Sequence, residues 1–435
     1  MRQDYPIPHL LTALQGPLLA LEETFLTHQV AIESWFRRAW QKTPPLFYGS
    51  VDLRNGGFKL APVDTNLFPA GFNNLNPDFG PLCVQAAQST LEEISPDITR
   101  VLVIPESHSR NQFYFENVAT LVDILQRAGF DVRVGSLDET LTAPMTHTLP
   151  SGHLLTLSPL IREGDRVGVA GFFPCVVILN NDLSNGLPDI LQHVRQRVMP
   201  SAQLGWFARF KSTHFTCYDT VVAEFSQLWG LDPWLISPFF DVCDDVDFTA
   251  KKDHTELLVR AETLWERIRV KYAEYQIQEP PFLVVKADAG SYGMAVMTIQ
   301  HPRELVDLNR KTRTKMATTK GGVSVHRVLL QEGVMTCERV TVASGEGAAE
   351  PVVYGIGRHV VGGFYRVHTA RGEAENLNAP GMDFKPLAFA KPCQLPCAKG
   401  HSESENRFYA YSVVARLAFL AAAREAVMLQ EKPAC

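Results

Sequence analysis

Apolar positions recur at helical spacing from residue 9 to residue 42, and the pattern stops before Pro44-Pro45, which predicts one or two helices there. The spacing then shortens. Two short strands meet at Asn55-Gly56-Gly57, a hairpin signal, and the second strand runs into Asp64-Thr65-Asn66. Residues 99 to 104 form an apolar run closed by Pro105. A polar loop from Glu106 to Gln112, a helix ending near Ala128-Gly129 and a second apolar run from Phe130 to Val134 follow it. That order predicts a parallel-sheet module, and Cys175 to Leu179 adds a strand ending in Asn180, Asn181 and Asp182. Residues 96 to 200 therefore read as one domain.

Further along, a helix is expected after His214, a solvated acidic loop from Asp241 to Asp247, and a helix from Thr255 to Tyr275. Phe282 to Met297 reads as strand, glycine-punctuated turn and strand, which makes a hairpin rather than a strand-to-helix turn. Arg310 to Gly322 is basic and poorly periodic, the pattern of a mobile loop suited to a lid. Strands are expected over 328–334, 351–354 and 360–368, a polar loop over 370–381, and a long helix from about Glu403 to Gln430. No internal repeat occurs.

With 435 residues the chain has about three domains' worth of length. A hydrophobic fraction of 46% against 20% charged is enough for a sizeable core and speaks against disorder. The net charge of −6 argues against a broad nucleic-acid surface. Eight scattered cysteines fit reduced thiols rather than a disulfide scaffold. Cys393, Cys397 and His401 offer half a zinc site that no second pair completes. The first residues show no signal-peptide pattern. The most apolar stretch, Tyr411 to Met428, carries Arg416, Arg424 and Glu425, so no membrane span is expected and the cytoplasm is the default.

Three places carry candidate chemistry. Lys286 inside a buried strand, followed by Gly290 and Gly293, suits phosphate oxygens, since glycines let backbone N–H groups approach closely; an ordinary hairpin with a snorkelling lysine is the plain alternative. Asp64 and Asn66, two apart on a strand, present oxygens to one side and suit a hard cation such as Mg²⁺, against the alternative of an Asx turn. Arg110 and Asn111 follow a parallel strand, where ligands of such sheets bind. Arg209, Lys211 and His214 lie among aromatics as a carboxylate clamp or an exposed face. No G-x-x-x-x-G-K-[ST] and no G-x-G-x-x-G after a strand occurs, so neither a P-loop nor a dinucleotide fingerprint is supported.

The order of these parts resembles the ATP-grasp ligases. Lys251 or Lys252 stands where that family's first lysine stands, ahead of Lys286 and its glycine loop. Gln331-Glu332-Gly333-Val334 matches the strand end that holds adenine. Arg366 matches the arginine facing the transferred phosphate, with the Asn376-Leu377-Asn378 loop after it. The usual acidic-x-Asn metal motif after the last helix is missing; Asp64-x-Asn66 stands near the N-terminus instead, as in the circularly permuted, glutathione-synthetase-like arrangement. Taken together, residues 54–66, Lys286 to Met294 and Gly362 to Val367 resemble the glutamate–cysteine ligase family of the proteobacterial ATP-grasp type.

That resemblance implies an α/β (α+β) ATP-grasp fold, circularly permuted, with a Rossmann-like parallel-sheet substrate domain. The division would be 1–95 (N-terminal helices plus permuted strands completing the site), 96–200 (substrate domain) and 201–435 (ATP-grasp domain with a glycine-rich lid). It implies ATP-dependent joining of the γ-carboxylate of L-glutamate to L-cysteine through an acyl phosphate, giving γ-glutamylcysteine, the first step of glutathione biosynthesis. A glutathione synthetase, another carboxylate–amine ligase of this scaffold and a non-catalytic nucleotide-binding regulator are the rivals. The implied catalytic residues are Arg366 and Lys286. ATP would be held by Lys251, Lys252, Lys286, Gly290, Ser291, Gly293, Gln331, Glu332 and Val334. Substrate carboxylates fall to Arg54, Arg110, Arg209 and Lys211 with Asn111 beside them, and Mg²⁺ to Asp64, Asn66 and, as a third ligand, Asp288. The partners implied are small molecules, with no nucleic acid or membrane; a homo-oligomer stays open.

Overall fold

The computed structural model describes residues 17–107, 111–249, 254–290, 294–319, 322–387 and 408–431. Helices α1 (Pro17–Thr27) and α2 (Gln29–Lys42) lead into strands β1 (Tyr48–Asn55) and β2 (Leu60–Asn66), then helix α3 (Gly80–Ile94). The next unit is β3 (Arg100–Pro105), α4 (Gln112–Arg127), β4 (Asp131–Ser136) and β5 (Val176–Asn180). Helix α5 (Lys211–Trp229), strand β6 (Phe240–Cys243) and helix α6 (Thr255–Glu274) precede the hairpin β7 (Leu283–Ala287) and β8 (Val296–Ile299). Then come α7 (Arg310–Met316), β9 (Val328–Glu332), β10 (Gly345–Ile356), β11 (His359–His368), β12 (Asp383–Pro386) and α8 (Phe408–Glu431).

Three sheets organise these elements. The first runs β12-β11-β10-β1-β2, with Arg339–Val342 also paired to β10, and every pairing in it is antiparallel. The N-terminal hairpin is thus built into a sheet of C-terminal strands, with β2 on its edge. The second has β5, β3 and β4 parallel and adjacent, flanked by Arg197–Met199 beyond β5, and by Leu154–Pro159 and Met145–Thr148 beyond β4. The third is antiparallel, in the order β6-β9-β7-β8. This mixed α/β architecture is the fold class expected from the sequence.

Helix α8 explains how the halves hold together. It is buried around nearly its whole circumference from Phe408 to Ala423, as a helix apolar on every face must be. It packs against α5, β2, β1 and β10, so its burial ties the N-terminal hairpin to the C-terminal strands. A large core joins α1, α2, α5, α6, α8 and the antiparallel sheets, while the parallel sheet keeps separate clusters on its two faces. The described cysteines 83, 175, 217, 243 and 337 are free thiols. Among the described residues no helix is long and apolar enough to cross a membrane.

Two readings of local structure are corrected. Arg310 to Met316 is a short helix rather than loop, because the Asn309 side chain caps it by accepting from Thr312 N (2.9 Å). The acidic run does not begin as a loop: Phe240–Cys243 pairs with β9, and its Asp241 takes up Arg260 of α6 (3.3 Å). The zinc candidates Cys393, Cys397 and His401 lie outside the described residues.

Candidate active site

The antiparallel sheets face each other across a cleft of about 270 Å³. From β7 to β9 it is lined by Val284, Lys286, Val296, Thr298 and Gln331, and from the β11–β2 side by Asp52, Arg54, Asp64, Asn66, Glu350 and Arg366. Residues two apart on a strand share a face, so Asp52 and Arg54 point in together, as do Asp64 and Asn66. Register supplies the rest: Asp52 stands opposite Asp64, and Glu350 opposite Arg366. Gly290, Val334, Asn376 and Asn378 complete the wall. Gly290 has φ +107°, a conformation that favours glycine, and its Cβ position is only 3.2 Å from Thr319 Cβ. The strand-end residues Glu106 and Asp182 of the parallel sheet, with Trp206, close the far end.

The floor is an alternating box of charges. Arg366 donates to Asp52 (2.8 Å) and Glu350 (2.5 Å), while Arg54 donates to Glu350 (2.6 Å) and to the carbonyls of Glu373 (2.8 Å) and Glu375 (2.7 Å). Burial raises the Asp52 carboxyl, Arg366 pulls it back, and neighbouring Glu350 and Asp64 add to the rise, leaving it above its usual value. For Glu350 burial also pushes upward, but two guanidinium groups outweigh it and hold it low. Among the described residues Arg366 Nε is buried without a partner, a donor that the box itself leaves over.

Above this floor stand two ammonium groups. Lys211 straddles Asp64, 3.0 and 3.1 Å from its two oxygens. Lys286 donates to the carbonyl of Val63 (2.7 Å). Burial works against the charge on Asp64, yet Lys211 and Lys286 hold its carboxyl well below the ordinary range. Lys286 is itself pulled down to about 8, by burial first, with Asp64 resisting and Lys211 adding to the shift.

The remaining expectations divide. Glu332 lines the cleft, but its carboxylate is spent on a buried ion pair with Lys59 (2.6 Å) and on Trp234 Nε1 (3.0 Å) and Phe239 N (2.8 Å). Gln331 is buried, and among the described residues its Nε2 has no partner. Arg209 does not line the cleft: it is buried against Glu425 (2.7 and 3.2 Å) and the carbonyl of Thr65 (3.1 Å), so it is no free clamp for a substrate. Asp288 is also turned away. Fully buried, it accepts from Ser212 N (2.7 Å) and Oγ (2.6 Å) and from Arg327 (2.7 Å), capping α5 instead of facing a metal. Asn111 caps α4, accepting from Tyr114 N (3.2 Å), and is not part of the cleft wall. Arg110, Lys251, Lys252, Ser291 and Gly293 lie outside the described residues.

Sequence reasoning missed Asp52, Glu350 and Lys59. Asp52 had a signal, since it shares the i, i+2 face of Arg54. Glu350 had none, because the strand expected from 351 begins at Gly345. Among the described residues no three acidic, His or Cys side chains form a metal cage. Asn66 Oδ1 accepts from Phe68 N (2.9 Å), the Asx turn that the sequence also allowed; with the carboxylates of Asp64 and Asp52 on the same wall it still supplies oxygens of the kind that Mg²⁺ takes together with phosphates and water.

Residues 22–426 match the family model described as glutamate-cysteine ligase. The chain is similar to a crystal structure described as "Putative gamma-glutamylcysteine synthetase from Methylobacillus flagellatus KT": identity is 52%, the TM-score 0.87, and the match covers 97% of this chain and 99% of that one. Weaker similarity extends to a glutathione synthetase-like effector from Globodera pallida (11% identity, TM-score 0.40, 83% of each chain). A D-alanyl-alanine synthetase A from Vibrio cholerae is weaker still (10%, 0.35, 74% of this chain and 81% of that one). A search of curated proteins finds no match.

Proposed function

This chain belongs to the glutamate–cysteine ligase family, ATP-dependent enzymes acting on small molecules, and from that premise we propose how its cleft performs the reaction. The γ-carboxylate of glutamate attacks the γ-phosphorus of ATP, ADP leaves, and a γ-glutamyl phosphate forms. The amine of cysteine then attacks the acyl carbon, phosphate departs, and γ-glutamylcysteine remains. Little covalent work falls to the protein in such phosphoryl transfer; it positions the reactants and offsets charge. Arg366, with its spare Nε donor, faces the phosphate in transfer, and Lys286 and Lys211 neutralise phosphate oxygens. Gly290 lets the hairpin backbone approach the nucleotide closely. The base lies along Val284, Gln331 and Val334. Arg54 holds the 373–376 loop against the site, and the parallel-sheet strand ends at Glu106 and Asp182 face the amino-acid end. Mg²⁺ held by Asp64 and Asn66, with Asp52 beside them, would supply charge neutralisation on the phosphates.

The observation carrying this reading is the convergence of Lys286, Gly290, Gln331, Arg366, Asp64 and Asn66 on one cavity although they are scattered through the sequence. On this reading residues 48–66 complete the nucleotide site, 96–200 serve the amino acids, and the enzyme works in the cytoplasm. The test is ADP release with glutamate plus cysteine, compared with γ-glutamylcysteine plus glycine. Release with the first pair alone is expected. Release only with the second makes the chain a glutathione synthetase, and release with neither makes it a regulator; each overturns the proposal.

A further inference from the structure

The strand that carries Asp64 and Asn66 is an edge strand, and its free side is held by cations instead of another strand. β2 pairs only with β1 among the described residues. An edge strand presents unpaired carbonyls outward at alternate residues, here Val63 and Thr65. Val63 O accepts from Lys286 and Thr65 O from Arg209 (3.1 Å), while the Asp64 side chain between them is straddled by Lys211. Thr65 N donates to Asp64 Oδ1 (3.1 Å), so the outer backbone of this short segment is tied down residue by residue.

Arg209 is in turn fixed from behind. Glu425 of α8 accepts from both its Nε and its Nη2, and also pairs with His214 Nδ1 (3.1 Å). Arg209 and Glu425 are 2% and 0% exposed at their side chains. Burial alone would raise the Glu425 carboxyl, but Arg209 and His214 hold it below its usual value, so it stays charged. A chain of contacts therefore runs from α8 through Arg209 to the residue between the two oxygen ligands.

We propose that Glu425 and Arg209 are positioning residues that fix the edge strand β2 and thereby set the cation-binding geometry of Asp64 and Asn66. This rests on the assignment of those two residues to the metal. Loss of the pair leaves Thr65 O without its donor and frees the segment to rotate, which spoils a site whose ligands must be held closely.

The test is Mn²⁺ affinity of the full chain with ADP present, read by electron paramagnetic resonance without turnover. Glu425→Gln is expected to weaken Mn²⁺ binding about tenfold or more, the usual effect of removing an outer-shell partner. The KM values for glutamate and cysteine should stay within about twofold, since neither residue lines the cleft. Arg209→Lys keeps the charge but loses the fork that spans Glu425 and Thr65. It should act in the same direction, and it carries the test if Glu425→Gln does not fold. Wild-type Mn²⁺ affinity in a folded variant, whatever its melting temperature, overturns the proposal. So does a rise in an amino-acid KM with Mn²⁺ affinity intact, because Arg209 would then be a substrate clamp. Asp64→Asn separates the two failures: if it too binds Mn²⁺ normally, the metal assignment has failed first.

Discussion

Arg366→Ala removes the guanidinium that donates to both Asp52 and Glu350 and that the proposal aims at the phosphate. Two costs follow, and they are measured separately. The first is stability. Arg366 is 10% exposed at its side chain and bridges Asp52 and Glu350; Glu350 keeps Arg54, but Asp52 loses its partner while still facing Asp64. Breaking a buried pair on one side costs about 3–5 kcal/mol. Asp52 partly relieves this by taking a proton, since its carboxyl already sits above the usual range through burial. The second cost is catalytic. One unit charge at 4 Å from the transferring phosphate is worth about 4 kcal/mol at an effective dielectric of 20, which at about 1.4 kcal/mol per tenfold is roughly a thousandfold in rate. The assay is ADP release with saturating glutamate and cysteine, run well below the variant's melting temperature, with nucleotide-induced thermal shift as evidence of folding. Arg366→Lys should recover part of the rate, because it restores the charge without the fork. Turnover within about tenfold of wild type in folded Arg366→Ala would refute the assignment of Arg366 to the phosphate.

Activity should fall as pH rises through about 8, where Lys286 gives up its proton. The sign for stability is opposite: the unfolded chain keeps that proton to about 10.4, so between the two values it binds more protons and this group's contribution to stability rises with pH. Lys286→Arg should flatten the alkaline limb of the rate profile, and an unchanged limb would remove Lys286 from the phosphate site. Lys59→Met should cost about 3–5 kcal/mol in denaturant unfolding by stranding Glu332. Adding Glu332→Gln should return a good part of that loss, and a double variant no more stable than the single one would show that the pair is not coupled as described.

The fold class was legible because apolar periodicity survives burial: strands β3, β4, β7, β9 and β11 lie where runs of valine, leucine and isoleucine place them. Sheet membership was less so. That residues 48–66 complete a sheet of C-terminal strands was accessible only through the missing acidic-x-Asn motif after the last helix, an argument from order and not from periodicity. At the site, residue type and spacing pointed to Asp64, Asn66 and Lys286, and the family resemblance to Arg366, and all four line one cleft. The i, i+2 pairing with Lys211 suggested a clamp at Arg209, and the resemblance a metal ligand at Asp288, but neither lines the cleft. Both sit within two residues of a true lining residue, Lys211 and Lys286 respectively, but their partners, Glu425 and Ser212, lie far away in sequence. A charged residue beside a site looks the same in one dimension whether it serves a ligand or the frame.

Charge balance in the cleft bears on why β2 is held so firmly. Among the described residues the wall carries the cations Arg54, Lys211, Lys286 and Arg366 against the carboxylates Asp52, Asp64, Glu106, Asp182, Glu332, Glu350 and Glu375. Of the cations, Arg54, Lys211 and Arg366 are already paired with a carboxylate. Among the described residues the cleft therefore offers a bare nucleoside triphosphate no surplus of positive charge. Lys286, half-titrated near pH 8, is the unpaired cation among them and does not offset it. Binding becomes favourable when a divalent cation accompanies the phosphates, and Asp64 suits that cation because its carboxyl stays ionised and its side chain is 39% exposed to the cleft. The Arg54–Glu350 pair of the floor then acts as a fixed frame, which holds Arg366 aimed at the phosphate in transfer while the cation offsets the rest of the charge. A frame of that kind must not swing toward the ligand, which is why each of its charges is anchored on a second element: Arg54 on the 373–375 carbonyls, Arg366 between two strands, and β2 itself on Arg209 and Glu425.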